Sequence, residues 1–134
     1  MSSKPSSVHQ LRLVVESDDY DAALHFYRDV LGMAEQAAFQ GEGNARVAIL
    51  DAGRATLEIA NSAQKRMIDR VEADGAESPR LRVALQVNDA ALITEAARKA
   101  GARVIATPRL TPWGSLNARL DAPATLQITL FQEA

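Results

Sequence analysis

Apolar side chains at Leu11, Leu13 and Val15, broken by Arg12, predict a strand over 11–15, and the same spacing predicts another over 81–87. After the first strand the pattern changes period. From Asp19 onward Leu24, Tyr27, Val30 and Leu31 recur at helical spacing, with Asp19 placed as N-cap and Gly32 as the stop, which predicts an outward-facing helix over 20–31. Three short strands follow near 35–40, 46–50 and 56–60, parted by Gly41-Glu42-Gly43-Asn44 and by Asp51-Ala52-Gly53. The second half repeats the order: strand 81–87, a helix from Asp89 or Ala90 to Ala100, and strands near 103–107, 115–120 and 126–131.

The repetition extends to the letters. Leu11-Arg12-Leu13-Val14-Val15 matches Leu81-Arg82-Val83-Ala84-Leu85 at an offset of 70, and Ala55-Thr56-Leu57-Glu58-Ile59 matches Ala124-Thr125-Leu126-Gln127-Ile128 at an offset of 69. A unit of strand, helix and three strands is therefore used twice. The expected organisation is one domain over 1–134, with modules at 8–61 and 80–132 and a connector at 62–79. The connector carries a short helical pattern, Met67, Ile68 and Val71, and then a polar loop; Lys65, Arg66 and Arg70 read there as a solvated charge cluster without a role.

Composition narrows the chemistry. At 134 residues and 47% hydrophobic the chain can bury a core without staples, and the absence of cysteine excludes disulfides, thiolate metal sites and a cysteine nucleophile. A formal charge of −2 supplies no field for nucleic acid. With no signal-like start and no long apolar run, the expectation is a soluble, cytoplasmic protein with no membrane partner. Of the two histidines, His25 is expected on the solvated helix surface and His9 just ahead of the first strand. Neither completes a Ser-His-Asp arrangement, and no phosphate-binding glycine loop is present.

The run His25-Phe26-Tyr27-Arg28-Asp29-Val30-Leu31-Gly32, set in a duplicated unit, resembles the FYxxxLG helix of the vicinal oxygen chelate superfamily, which includes glyoxalase I, bleomycin-resistance proteins and extradiol dioxygenases. The resemblance spans residues 8–132 and implies an α+β fold in which two tandem βαβββ modules form a curved mixed sheet around a shared cavity. It also implies homodimers, since modules of that family commonly pair between chains.

Alternation sorts the strands. If Leu11, Leu13, Val15, Leu57, Ile59, Leu81, Val83, Leu85, Leu126, Ile128 and Leu130 lie under the helices, then Arg12, Glu58, Arg82, Gln127 and Thr129 face the other way. In the family that other face is the cavity wall. Its metal enzymes take a ligand from the first strand of a module and a Glu from the last, so the matching positions here are Arg12, Glu58, Arg82 and either Gln127, from the repeat offset, or Thr129, from the Asp121 turn. Guanidiniums have no free lone pair and the latter two are neutral, which leaves one carboxylate and predicts a cavity with no metal and no other cofactor. Two arginines against Glu58 leave surplus positive charge, to be met by a further carboxylate such as Glu16 or by an anionic or polar small-molecule ligand. Trp113 and Phe39 are candidate apolar walls, with core packing as the alternative for each. Two functions stay open: a binding protein, or an enzyme of lyase, isomerase or dioxygenase type. The enzyme is either metal-free, with Glu58 as catalytic base, or metal-dependent.

Overall fold

The computed structural model describes residues 7–123 and 125–134. Residues 1–6 of the polar start, and Ala124 of the repeated motif, lie outside the described residues. The elements are β1 (Val8–Glu16), α1 (Tyr20–Leu24), β2 (Glu35–Gln40), β3 (Arg46–Asp51), β4 (Ala55–Ala60), α2 (Ser62–Ala73), β5 (Leu81–Val87), α3 (Ala90–Lys99), β6 (Arg103–Leu110), β7 (Leu116–Ala122) and β8 (Leu126–Gln132). No helix among the described residues is long and apolar enough to cross a membrane.

All eight strands join one mixed sheet in the order β2-β3-β4-β1-β5-β8-β7-β6. Each module contributes one parallel pair, β1 with β4 and β5 with β8, and the modules meet where β1 runs antiparallel to β5. The sheet curves so that Phe39, on one edge strand, and Trp113, in the turn after the other, line the same cavity.

Two apolar clusters hold the helices to the outer face. Tyr20 and Leu24 pack on Ala48, Leu50 and Ile59 in the first module; Ala90, with Ile93 and Ala97 beside it, packs on Ala118, Leu120, Ile128 and Leu130 in the second. Asp19 and Asp89 cap the helices by accepting from the amides of Ala22 and Leu92, each at 3.0 Å. Gly32 and Gly101 end them at φ of +77° and +107°, a region closed to most side chains.

Three expectations need correction. The helix over 20–31 is α-helical only to Leu24; His25–Val30 winds as a π-helix, with the Leu31 amide reaching back to the Phe26 carbonyl at 3.0 Å. The wider turn shifts the register, so Val30 and Leu31 face solvent instead of extending the buried stripe of Leu24. Leu11, Leu81 and Leu126, placed under the helices by alternation, are exposed: helical cover is confined to the two clusters and does not reach them. Finally, the connector is mainly a 12-residue helix, α2, lying across the concave face of the second module, where it meets β6 and β7.

Candidate functional site

A cavity of about 690 Å³ opens on the concave face. Alternation along β1, β4 and β5 turns Arg12, Val14, Glu16, Glu58, Arg82 and Ala84 into it, as the sequence predicts. Val47, Ile49, Met67 and Ile68 add apolar wall. Phe39 and Trp113 line it too and are 59% and 50% exposed, so neither is a core residue.

On the floor, Arg12 Nη1 donates to Glu58 Oε1 at 3.3 Å, Nε to Gln10 at 2.9 Å and Nη2 to Glu133 at 3.4 Å. Its guanidinium lies 4.6 Å from the centre of the Phe131 ring, a cation–π contact that fixes its plane. Burial pushes the Glu58 carboxyl above the ordinary carboxylate range, against the opposing pull of Arg12 and Arg82.

The second module repeats this arrangement with a different partner. Arg82 Nη1 donates to Thr129 Oγ1 at 2.6 Å. Strand register decides between the two candidate counterparts of Glu58. Val14 pairs with Glu58 across β1 and β4, and its equivalent Ala84, 70 residues on, pairs with Thr129 across β5 and β8. Thr129 is the counterpart, and Gln127 corresponds to Thr56. Gln127 is not part of the cavity wall; it accepts from Arg119 and donates to Asp121, each at 3.1 Å.

The charges that sequence reasoning missed come from α2 and β7. Arg119, fully buried, donates to Glu72 from Nε and Nη2 at 3.1 and 2.9 Å and to Asp69 from Nη1 at 3.0 Å. Glu72 also accepts from Asn117 and from Thr129, both at 2.7 Å, and sits 3.9 Å from Arg82. Asp69 is desolvated, yet the Ser78 amide and Arg119 hold its carboxyl below the usual range. Applied to β7, alternation would have turned Asn117 and Arg119 away from the apolar Ala118 and Leu120; the acids they meet lie 45 to 50 residues earlier.

Lys65 was expected in solvent. Its side chain is instead 12% exposed and lines the cavity, while Arg66 and Arg70 do face solvent. Glu72 and Asp69 thus balance much of the charge that the sequence left to a ligand. The expected surplus is not found: Arg12, Lys65, Arg80 and Arg82 line the cavity with Glu16, Glu58, Asp69, Glu72 and Glu133, and Arg119 behind Asp69 and Glu72 brings the cations to five against five acids among the described residues. Of these acids Glu133, which bonds Arg12, is more than half exposed.

His25 is exposed and pairs with Asp29 at 3.1 Å, and His9 bonds Asn88 at 2.6 Å; neither enters the cavity wall. At the four positions where the family resemblance places metal ligands stand two guanidiniums, a hydroxyl occupied by Arg82 and Glu72, and one carboxylate. That donor set does not fit a divalent ion.

Among solved structures the chain is similar to a hypothetical protein from Bacillus halodurans C-125 (TM-score 0.68, 14% identity, 92% of each chain covered). It is also similar to a glyoxalase/bleomycin resistance protein/dioxygenase superfamily member from Vibrio splendidus 12B01 (TM-score 0.65, 9% identity, 92% of this chain and 97% of that one). Methylmalonyl-CoA epimerase from Mycobacterium tuberculosis is a third (TM-score 0.63, 20% identity, 96% of this chain and 88% of that one). At these identities the likeness is one of fold. No curated protein sequence matches the chain. The family model for the Glyoxalase/Bleomycin resistance protein/Dioxygenase superfamily matches residues 9–128, and the chain belongs to that superfamily.

Proposed function

We propose that this protein binds a small organic molecule with an anionic or strongly polar oxygen group, in a cavity that works without a metal. The observation that carries the proposal is Arg82. Its guanidinium is buried in the cavity wall with five donors, and among the described residues its hydrogen bond goes to Thr129 alone, while its nearest carboxylate, Glu72, stands 3.9 Å away. Burial lowers its proton affinity, which marks a desolvated charge in need of acceptors. A ligand carboxylate would supply two. Phe39 and Trp113 offer exposed ring surface for the apolar body of such a ligand.

The test is a thermal-shift screen of small carboxylates, amides and neutral aromatics, with and without divalent ions. Carboxylates are expected to raise the unfolding temperature whether or not metal is present. Arg82→Met should weaken their binding by about 1.5 to 3 kcal/mol, the range for a hydrogen bond to a charged group. Stabilisation that needs added metal, or that survives Arg82→Met in full, overturns the proposal.

A second reading rests on Glu58. A carboxylate made more basic by burial, in the same cavity as a guanidinium with free donors, is the pair needed to remove a proton beside a carbonyl and hold the resulting enolate oxygen. Several structures similar in fold are named methylmalonyl-CoA epimerases, but this reading stands on Glu58 itself. Incubating small carbonyl acids with the protein in heavy water tests it. Deuterium should enter beside the carbonyl with the native protein and not with Glu58→Gln; no exchange with either removes the enzyme reading and leaves binding in place.

A further inference from the structure

We propose that Lys65 is a second cationic contact in this cavity, so that the ligand class is a molecule with two anionic ends and a flat apolar middle. The inference rests on the reading of Arg82 as the deep anchor. Lys65 belongs to α2, and its side chain is 12% exposed within the cavity wall. An ammonium held there has lost most of its water and needs acceptors in return.

The protein supplies poor ones. Lys65 Nζ is 3.5 Å from Asp69 Oδ2, the outer limit of a hydrogen bond, and 4.0 Å from Glu77, whose side chain is 90% exposed. Asp69 has better partners: the Ser78 amide at 3.1 Å on that same oxygen and Arg119 at 3.0 Å on the other. Arg12, by contrast, uses all three of its nitrogens on protein acceptors. Among the largely buried cations of the wall, Lys65 and Arg82 are therefore the two that leave most of their donors unspent on the described residues, while Arg80 is more than half exposed.

Helix geometry sets their separation. Lys65, Asp69 and Glu72 are spaced i, i+4 and i+7 on one face of α2, and Glu72 reaches to within 3.9 Å of Arg82. Seven residues of helix advance roughly 10 Å, so Lys65 marks the outer end of a run along α2 whose deep end is Arg82. Met67 and Ile68 belong to the wall as well, and they suit an apolar middle. The neighbouring exposed Glu77 shows that the outer end meets solvent, where a second anionic group keeps part of its hydration.

Calorimetric titration with two probes tests this: a naphthalene with one carboxylate, and a naphthalene with carboxylates at opposite ends. Native protein should bind the dicarboxylate about tenfold more tightly, the effect of one added charge-assisted hydrogen bond. Lys65→Met should cut that advantage to within about twofold, and Lys65→Arg should keep most of it. Denaturation of each variant confirms that it is folded. An advantage unchanged in Lys65→Met, with Arg82→Met still weakening both probes, overturns the role of Lys65 and leaves the Arg82 reading standing. Arg82→Met without effect on either probe overturns the reading beneath it, and failure of both probes to bind native protein overturns both.

Discussion

Arg12 and Glu58 oppose each other's costs at the level of single groups. The carboxyl is 15% exposed, and burial raises its proton affinity despite the guanidinium 3.3 Å away. A carboxyl that binds its proton more tightly when folded contributes stability below the ordinary carboxylate range, and that contribution is lost as pH rises through the raised folded value. Glu58→Gln removes this slope. In urea denaturation between about pH 4 and pH 7, the variant should gain on native protein as pH rises. Asp69 has the opposite sign: its carboxyl is held below the usual range, so its contribution is present at neutral pH and lost as pH falls through the folded value. Arg12→Met leaves Glu58 without its partner and should cost about 2 kcal/mol at neutral pH, below the range for fully buried pairs because Glu58 keeps some solvent. The loss should shrink at acid pH as Glu58 takes up its proton. Arg12→Met combined with Glu58→Gln should recover much of the loss, and equal destabilisation by the single and double variants would show that the pair is not the cause.

At the scale of elements, the attachment of α2 is the part of the structure most exposed to a single change. Asp69 and Glu72, one turn apart, close on the fully buried Arg119 of β7. Arg119→Met strands two buried carboxylates and should cost about 3 to 5 kcal/mol. Its signature is local: amides of α2 should exchange with solvent well before those of β1 and β5, where the modules join. Uniform exchange across the chain would mean that α2 is not held by this arginine. The same element shows what the sequence could convey. Strand alternation, helix caps and the duplicated motif are short-range patterns, and they placed eight strands, two outer helices and the cavity-facing Arg12, Glu58 and Arg82. The partnership of Asp69 and Glu72 with Arg119 is a tertiary fact with no local signature, and it turned a connector into part of the cavity wall. The choice between Gln127 and Thr129 likewise needed strand register, because the two are two residues apart on one face of β8 and alternation cannot tell them apart. The π turns after Leu24 escaped for another reason: Leu24, Tyr27, Val30 and Leu31 suit a regular helix, and only the backbone bond from Leu31 to Phe26 reveals the wider winding.

For the whole molecule, the sheet leaves β2 and β6 as edge strands, and an unpaired edge offers amides and carbonyls to any other strand. β2 is the more open, exposed along nearly its whole length. Next to it, where Arg28 of the π turns bonds Glu35 at the start of β2, the chain also presents Phe26, Val30 and Leu31 to solvent. An unpaired edge flanked by apolar side chains is costly to leave in water, and a second copy of the chain covers both if the two β2 edges pair about a two-fold axis. The expected result of sedimentation at about 50 µM is therefore a homodimer. Ala38→Lys places a charge on the exposed edge without touching the cavity wall, and should shift the protein toward monomer while binding at Arg82 is retained. A native monomer at that concentration rejects pairing through β2. A native dimer that withstands Ala38→Lys moves the interface to another surface, with the exposed Leu11 and Leu81 at the join of the modules as the next place to substitute.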